Sequence, residues 1–324
     1  MAFGREVKAF NKGIRKSEVY QMKPNMKVNI AGVELANPII TASGTFSLDM
    51  ERYFDFDELG AVTLKGVFAE ARQGNPSPRI AETASGMINS VGLQGEGVDY
   101  VVAEILPKLA RYKTKVIANV CGNTPEEFAD VAERFGDKVD MLELNVSCPN
   151  VKSGGIAFGL DPCKLEEVVV AARKVAKRPI IVKLSPNVTS IADMAKAAES
   201  GGADVISLVN TLLAMRIDVR SRKPINAINV GGLSGAAIKP IAVRMVWQAA
   251  KAVSIPVIGM GGIMSGEDVA EFMLAGASAV MVGTASLITP DASVRIKNEF
   301  EQYLIDSGIK DVKELVGGVI EHRT

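Results

Sequence analysis

Short runs of β-branched and aliphatic residues alternate along this chain with longer stretches whose apolar positions recur at helical spacing. The runs at 38–42 (PIITA), 61–65 (AVTLK), 116–120 (VIANV), 141–145 (MLELN), 180–184 (IIVKL), 205–209 (VISLV), 257–259 (VIG) and 279–282 (AVMV) read as eight strands. Near-continuous apolar strands separated by helices indicate a parallel sheet covered on both faces. Eight strand–helix units are the number that closes a (β/α)8 TIM barrel, and this α/β fold is the expected architecture.

The punctuation between the runs agrees. Thr124-Pro-Glu-Glu127 reads as a capping box with proline at the first helical position, and Gly136 as the stop. Asp161-Pro162 and Ser265-Gly-Glu-Asp268 open two further helices. Three Gly-Ala joints, at Gly60, Gly201-Gly202 and Gly276, echo one another before strands 2, 6 and 8, and glycine there predicts a left-handed helix stop. Long segments follow strand 2 (66–97), strand 4 (146–160) and strand 6 (210–233), all at the barrel's C-terminal face, where active sites are built. The pair 28–30 and 33–35 around Ala31-Gly32 predicts a hairpin under the barrel. No composition break divides the chain, so residues 28–324 are expected to form one domain behind a polar leader, 1–27, to which no role is assigned.

Composition narrows the chemistry. With 37 basic and 37 acidic residues among 324, nothing electrostatic calls for nucleic acid or an anionic membrane as partner. Apolar runs are too short to span a bilayer, and no secretory signal is evident, so a reducing cytoplasmic setting is expected. Three cysteines without a Cys-x-x-Cys pair argue against a disulfide framework, a metal site or an iron–sulfur cluster in this chain. The single histidine, His322, lies in the tail, which excludes Ser–His and Cys–His mechanisms within the chain and leaves acid–base work to Cys, Lys, Tyr or carboxylates.

Two constellations remain. Strand 7 ends in Gly259-Met-Gly261-Gly262 and strand 8 in Gly283-Thr284, the two positions at which barrels bind phosphate. No Gly-x-Gly-x-x-Gly or Walker-type motif occurs, so a mononucleotide on the barrel fits better than a dinucleotide on a Rossmann unit. Polar residues also stand at strand ends: Lys65, Asn119, Asn145, Lys183 and Asn210-Thr211. Helices cover the outside of a barrel, so a lysine closing an apolar strand faces the mouth or is stranded in the core at high cost. The amides suit a planar, amide-bearing ring. Cys148, in Asn145-Val-Ser-Cys148-Pro-Asn150, fits either a small buried core thiol or a base on a loop with Lys152 and Gly154-Gly155, while Cys121 and Cys163 read as structural.

Several segments together resemble dihydroorotate dehydrogenases, in particular the catalytic chain of the NAD-linked, two-subunit class 1B. They are Asn37-Pro-Ile-Ile-Thr-Ala-Ser-Gly-Thr-Phe46, Gly86-Met-Ile-Asn-Ser-Val-Gly-Leu-Gln94, Glu143-Leu-Asn-Val-Ser-Cys-Pro-Asn-Val-Lys152, Val209-Asn-Thr211 and Gly231-Gly-Leu-Ser-Gly235 with Ile238-Lys-Pro240. The resemblance runs from about residue 28 to the C-terminus and implies an FMN flavoprotein oxidising (S)-dihydroorotate to orotate in pyrimidine biosynthesis. It implies Cys148 as the base that takes the C5 proton and Lys65 as a contact of both flavin and substrate. It also implies a substrate cradle of Asn89, Ser90, Val91, Gly92, Leu93, Asn145, Asn210 and Thr211. The implied FMN contacts are Ser43, Lys65, Gly66, Asn119, Asn145, Lys183, Val209, Gly235, Gly261, Gly262, Gly283 and Thr284, with Lys183 near the electron-rich edge of the flavin.

Class 1B further implies a partner subunit carrying FAD and a 2Fe-2S cluster, on which NAD acts, around a homodimeric core within a heterotetramer. The alternatives are a class 1A enzyme that uses fumarate, and a related FMN barrel acting on another dihydropyrimidine. The chain departs from the family pattern in its leader and in Gln94-Gly-Glu-Gly97, where Asn-Pro is expected after the glutamine.

Overall fold

The computed structural model describes residues 23–147 and 158–322. Eight parallel strands close into a barrel: Ile39–Thr41, Ala61–Thr63, Lys115–Val120, Met141–Leu144, Ile180–Lys183, Val205–Leu208, Val257–Met260 and Ala279–Val282. Each pairs with its neighbours in sequence, and the eighth returns to the first through Val280↔Ile39 and Val282↔Thr41. All eight expected runs are therefore barrel strands. Every residue in seven of them is buried, and only Lys115 and Val116 in the third are partly exposed, as helices on the outer face and packed side chains inside require.

The helices follow from local chemistry. In Pro125–Phe135 the residues Phe128, Val131, Ala132 and Phe135 fall at the i, i+3, i+4, i+7 spacing that forms one stripe, and that stripe is buried. Burying such a phenylalanine is worth roughly 1.5–3 kcal/mol. Thr124 caps the helix by accepting from Glu127 N at 3.3 Å, and Gly136 ends it. The capping box expected there is only half made, because the Glu127 carboxylate serves the backbone and side-chain nitrogens of Asn123 instead. Asp161 caps Pro162–Arg173, and the full reciprocal box forms at Ser265 and Asp268 ahead of Gly266–Leu274.

The Gly-Ala joints have two different causes. Gly202 and Gly276 take positive φ, the left-handed stop expected. Gly60 does not; a Cβ there would stand 2.0 Å from the Asn37 carbonyl oxygen, so close approach of two backbones explains it.

Val28–Ile30 and Val33–Leu35 pair as the expected hairpin, turning through Ala31 and Gly32, both at positive φ as a type I′ turn requires. Its Val28, Ile30 and Leu35 join the main core. The fold reaches slightly further back: Asn25 bonds Asp311 and the backbone of Lys310 and Val312, and Met26 is buried. His322 is exposed in the tail. Among the described residues no helix is long and apolar enough to cross a membrane, and no group of three metal-ligating side chains occurs.

The excursions after strands 2 and 6 hold structure that periodicity did not reveal. Ile80–Thr83 and Gly86–Asn89 from the first combine with Leu212–Ala214 and Gly231–Ser234 from the second into a four-stranded antiparallel sheet. Segments far apart in sequence thereby form one wall above the barrel's C-terminal end.

Candidate active site

A cavity opens where the strands end. Its floor and sides come from residues at or just past the C-terminal ends of strands 1, 2, 4, 5, 6, 7 and 8, and its far wall from the antiparallel sheet. Of the expected site residues, Ser43, Lys65, Gly66, Asn89, Val91, Gly92, Leu93, Asn145, Lys183, Val209, Asn210, Thr211, Gly235, Gly261, Gly262, Gly283 and Thr284 line it. Two do not. Ser90 is fully buried, its hydroxyl between the Arg79 carbonyl and the Asn226 amide. Asn119 is also fully buried, its amide held by Glu143 and Asn145 behind the lining. Both were expected as direct contacts; their side chains instead bond neighbouring residues behind the cavity lining. Cys148 lies outside the described residues; Ser147, to which it is bonded, is buried beside Asn145 and Asn210.

One end of the cavity is walled by main chain. Gly262, at φ +84°, packs so closely that a Cβ would stand 2.9 Å from both the Gly235 carbonyl oxygen and the Lys239 nitrogen. The Thr284 hydroxyl donates to Ser234 Oγ at 2.9 Å and ties this end to the sheet. The Lys239 ammonium is turned away onto Asp268 and Glu271, at 2.6 and 2.7 Å. The Gly-Gly-Leu-Ser segment has a packing reason too: a Cβ on Gly232 would meet Thr211 Oγ1 at 2.1 Å, so glycine lets the sheet lie against the pocket hydroxyl.

The other end is cationic and amide-rich. Among the described residues, two lysines line the cavity and no carboxylate does. Lys183 is 5% exposed and donates to Ser43 Oγ at 3.1 Å. A buried ammonium with a neutral partner favours an electron-rich ligand beside it. Lys65 stands at the rim, where partial burial first, and the Arg79 guanidinium second, push its ammonium below the ordinary lysine value. Gly92 and Leu93 both have positive φ, and Leu93 is a strained position for a residue with a side chain.

From this end a chain of hydrogen bonds runs into the barrel interior. Thr211 N donates to Asn210 Oδ1 (2.8 Å), Asn210 Nδ2 to Ser147 Oγ (2.7 Å), and Ser147 Oγ to Asn145 Oδ1 (3.2 Å). Asn145 Nδ2 then donates to Asn119 Oδ1 (3.1 Å), and Asn119 Nδ2 to Glu143 Oε2 (2.6 Å). Sequence reasoning missed Ser147 and Glu143. A carboxylate inside an apolar strand was the available signal for the second; nothing local distinguished the first. It also missed the apolar lining from Met87, Ile238, Met260, Ile263 and Met281.

Residues 25–304 match the family described as dihydroorotate dehydrogenase. The "Dihydroorotate dehydrogenase B (NAD(+)), catalytic subunit" of Alkaliphilus metalliredigens is 58% identical over 300 residues, covering 92% of this chain and 99% of the relative. The identically named protein of Geobacter sulfurreducens is 53% identical over 301 residues, at 92% and 99% coverage. Among solved structures, the crystal structure of DHODH from Eimeria tenella in complex with ferulenol superposes with a TM-score of 0.78 at 25% identity, covering 93% of this chain and 90% of that one.

Proposed function

This chain belongs to the dihydroorotate dehydrogenase family, and from that membership we propose how its pocket works. The enzyme oxidises (S)-dihydroorotate to orotate in pyrimidine biosynthesis. The observation that carries this reading is a single cavity with main-chain glycines at one end and two lysines, three asparagines and a threonine at the other.

The residues present fit FMN. The glycine wall at Gly235, Gly261, Gly262 and Gly283, with Thr284, suits its phosphate, because a wall without Cβ atoms lets an anion reach the backbone. Ser43, Gly66, Val209 and Asn145 line the space for the ring, and buried Lys183 supplies positive charge to the ring's electron-rich edge. When bound, FMN provides the hydride acceptor for C6 of the substrate.

The chain's own residues do the rest. Lys65 attracts the 6-carboxylate at the rim, and Asn89, Asn145, Asn210 and Thr211, with the Val91-Gly92-Leu93 backbone, hold the pyrimidine amides in plane. Ser90 and Asn119 fix that cradle from behind. Cys148 removes the C5 proton as a thiolate, and C5–C6 becomes the double bond of orotate as the hydride leaves C6.

The relatives' name, "catalytic subunit" of an NAD+ enzyme, supports a partner subunit for this chain. In this reading the partner carries FAD and a 2Fe-2S cluster and passes electrons to NAD, the barrel forms a homodimeric core, and the assembly is cytoplasmic.

The test is to purify the chain alone and follow flavin absorbance anaerobically. Bleaching by dihydroorotate, with slow reoxidation by fumarate and fast reoxidation by NAD once the partner is added, is the expected outcome. Bleaching by dihydrouracil but not dihydroorotate would move the reading to another dihydropyrimidine. A yellow dimer that reduces fumarate efficiently by itself would move it to class 1A.

A further inference from the structure

Glu143 sits in the middle of strand 4 and is fully buried. Its cross-strand neighbour is Asn119 on strand 3, and its carboxylate also reaches Ser207 on strand 6, two strands away. A side chain that bridges strands 4 and 6 crosses the barrel interior, so Glu143 points inward beneath the pocket while Leu142 and Leu144 face the helices. Among the described residues its hydrogen-bond partners are neutral: Asn119 Nδ2 at 2.6 Å and Ser207 Oγ at 2.7 Å. Burying a carboxylate on neutral donors is costly, and an apolar residue would spare that cost.

The hydrogen-bond chain supplies a reason to keep it. An asparagine amide can be turned end for end, and each orientation presents a different atom to a ligand. The chain from Thr211 to Glu143 has donor-only backbone N–H at one end and an acceptor-only carboxylate at the other. With both ends so defined, every amide between them has one orientation. Asn119 must give its NH₂ to Glu143, which leaves its oxygen for Asn145; Asn145 must then give its NH₂ inward and its oxygen to Ser147.

We propose that Glu143 is a positioning residue that sets the donor–acceptor sense of Asn119, Asn145 and Ser147, while the Thr211 N–H fixes Asn210 from the other end, and that it thereby sets the hydrogen-bonding face Asn145 shows to the pyrimidine ring. The ligand named here rests on the function proposed above. The juxtaposition itself, an inward carboxylate at the end of an amide chain that surfaces in the pocket, rests on the distances alone.

The test compares three variants of the FMN-loaded protein by orotate titration of the flavin spectrum. Glu143→Leu removes the acceptor and is expected to weaken orotate binding about tenfold or more, with FMN retained. Glu143→Gln can accept from Asn119 through its oxygen while Ser207 accepts from its NH₂, so it should rescue binding to within about threefold. Glu143→Asp keeps the charge but withdraws the acceptor by about 1.5 Å, and should bind orotate less well than Glu143→Gln.

Wild-type affinity in Glu143→Leu overturns the proposal. So does a reversed order, with Glu143→Asp unimpaired and Glu143→Gln impaired, because charge would then be the property that matters. That order decides the matter even if the leucine variant fails to fold. A ligand-free readout separates this inference from the functional one: the side-chain amide ¹⁵N–¹H signals of Asn145 should move in Glu143→Asp and hold in Glu143→Gln. If they are unmoved in both, the positioning role fails whatever ligand the pocket takes.

Discussion

Gly262 is a sharply constrained position in the cofactor wall, with three atoms closer than 3.0 Å to where a Cβ would stand. Replacing it with alanine has two separable costs. Its φ of +84° is unfavourable for any L-residue, by roughly 1–2 kcal/mol. The new Cβ would also stand 2.8 Å from Lys239 Cβ and 2.9 Å from both the Lys239 nitrogen and the Gly235 carbonyl oxygen. Two of these are backbone atoms, so a loop rather than a rotamer must move, and overpacking of this kind costs about 1–3 kcal/mol. The combined destabilisation is about 2–5 kcal/mol, and the displaced loops are those that carry Gly235, Gly261 and Gly262 into the cavity. Gly262→Ala is therefore expected to lose FMN on desalting as well as melting temperature. Gly308→Ala is the control, because Gly308 has φ +70° but nothing within 4 Å of its Cβ position and is not part of the cavity lining. It should lose only the backbone cost, about 1–2 kcal/mol, and keep its flavin. The assay is the flavin-to-protein absorbance ratio together with calorimetric melts with and without added FMN. Indistinguishable behaviour of the two variants in both measurements would refute the crowding argument.

Other consequences are testable in the same way. Because burial and Arg79 lower the Lys65 pKa, its ammonium is lost as pH rises through a value below that of ordinary lysine. Orotate affinity should fall on that alkaline limb, and Lys65→Gln should bind weakly with a flat profile; parallel profiles would count against the carboxylate contact. Burial alone would raise the Asp268 pKa, but the Lys239 ammonium and the Met264 and Ser265 N–H groups outweigh it and hold the group low. A depressed carboxylate contributes stability above its unfolded pKa and loses it as pH falls through the folded one, so Asp268→Asn should cost about 1–3 kcal/mol in urea melts near neutral pH and progressively less in acid. A constant difference across that range would contradict the linkage. Cys148→Ser should keep FMN, lose roughly 10²–10⁴ in the rate of flavin reduction by dihydroorotate and shift its optimum to higher pH. Unchanged flavin reduction would remove Cys148 from the mechanism.

The strands were legible because a barrel buries both faces of each one, leaving apolar runs that need no partner to be recognised. Lys65 and Lys183 stood out for the same reason: a charged residue closing such a run contradicts its surroundings. Asn119 shows where that reasoning stops. It shares the apolar strand context of the pocket residues, yet its side chain bonds Glu143 and Asn145 and is absent from the cavity lining. Strand periodicity tells which face a side chain takes; it does not tell which polar atoms another residue has already engaged.

The antiparallel sheet and the hydrogen-bond chain were illegible for a different reason. Gly86–Asn89 and Gly231–Ser234 are short, glycine-bearing and weakly patterned, and their pairing is a contact between loops that leave different strands. Likewise Ser147, Glu143 and Ser207 acquire meaning only through partners on neighbouring or opposite strands.

By itself, the sequence determined the barrel, the places of its eight strands, the helix caps at Thr124, Asp161 and Ser265, and the set of polar residues at the strand ends, because each follows from local periodicity or capping chemistry. Only the tertiary structure decided which of those residues reach the cavity, which way their amides face and why glycine is required at 232 and 262. These depend on distances between segments remote in sequence, set when the barrel closes.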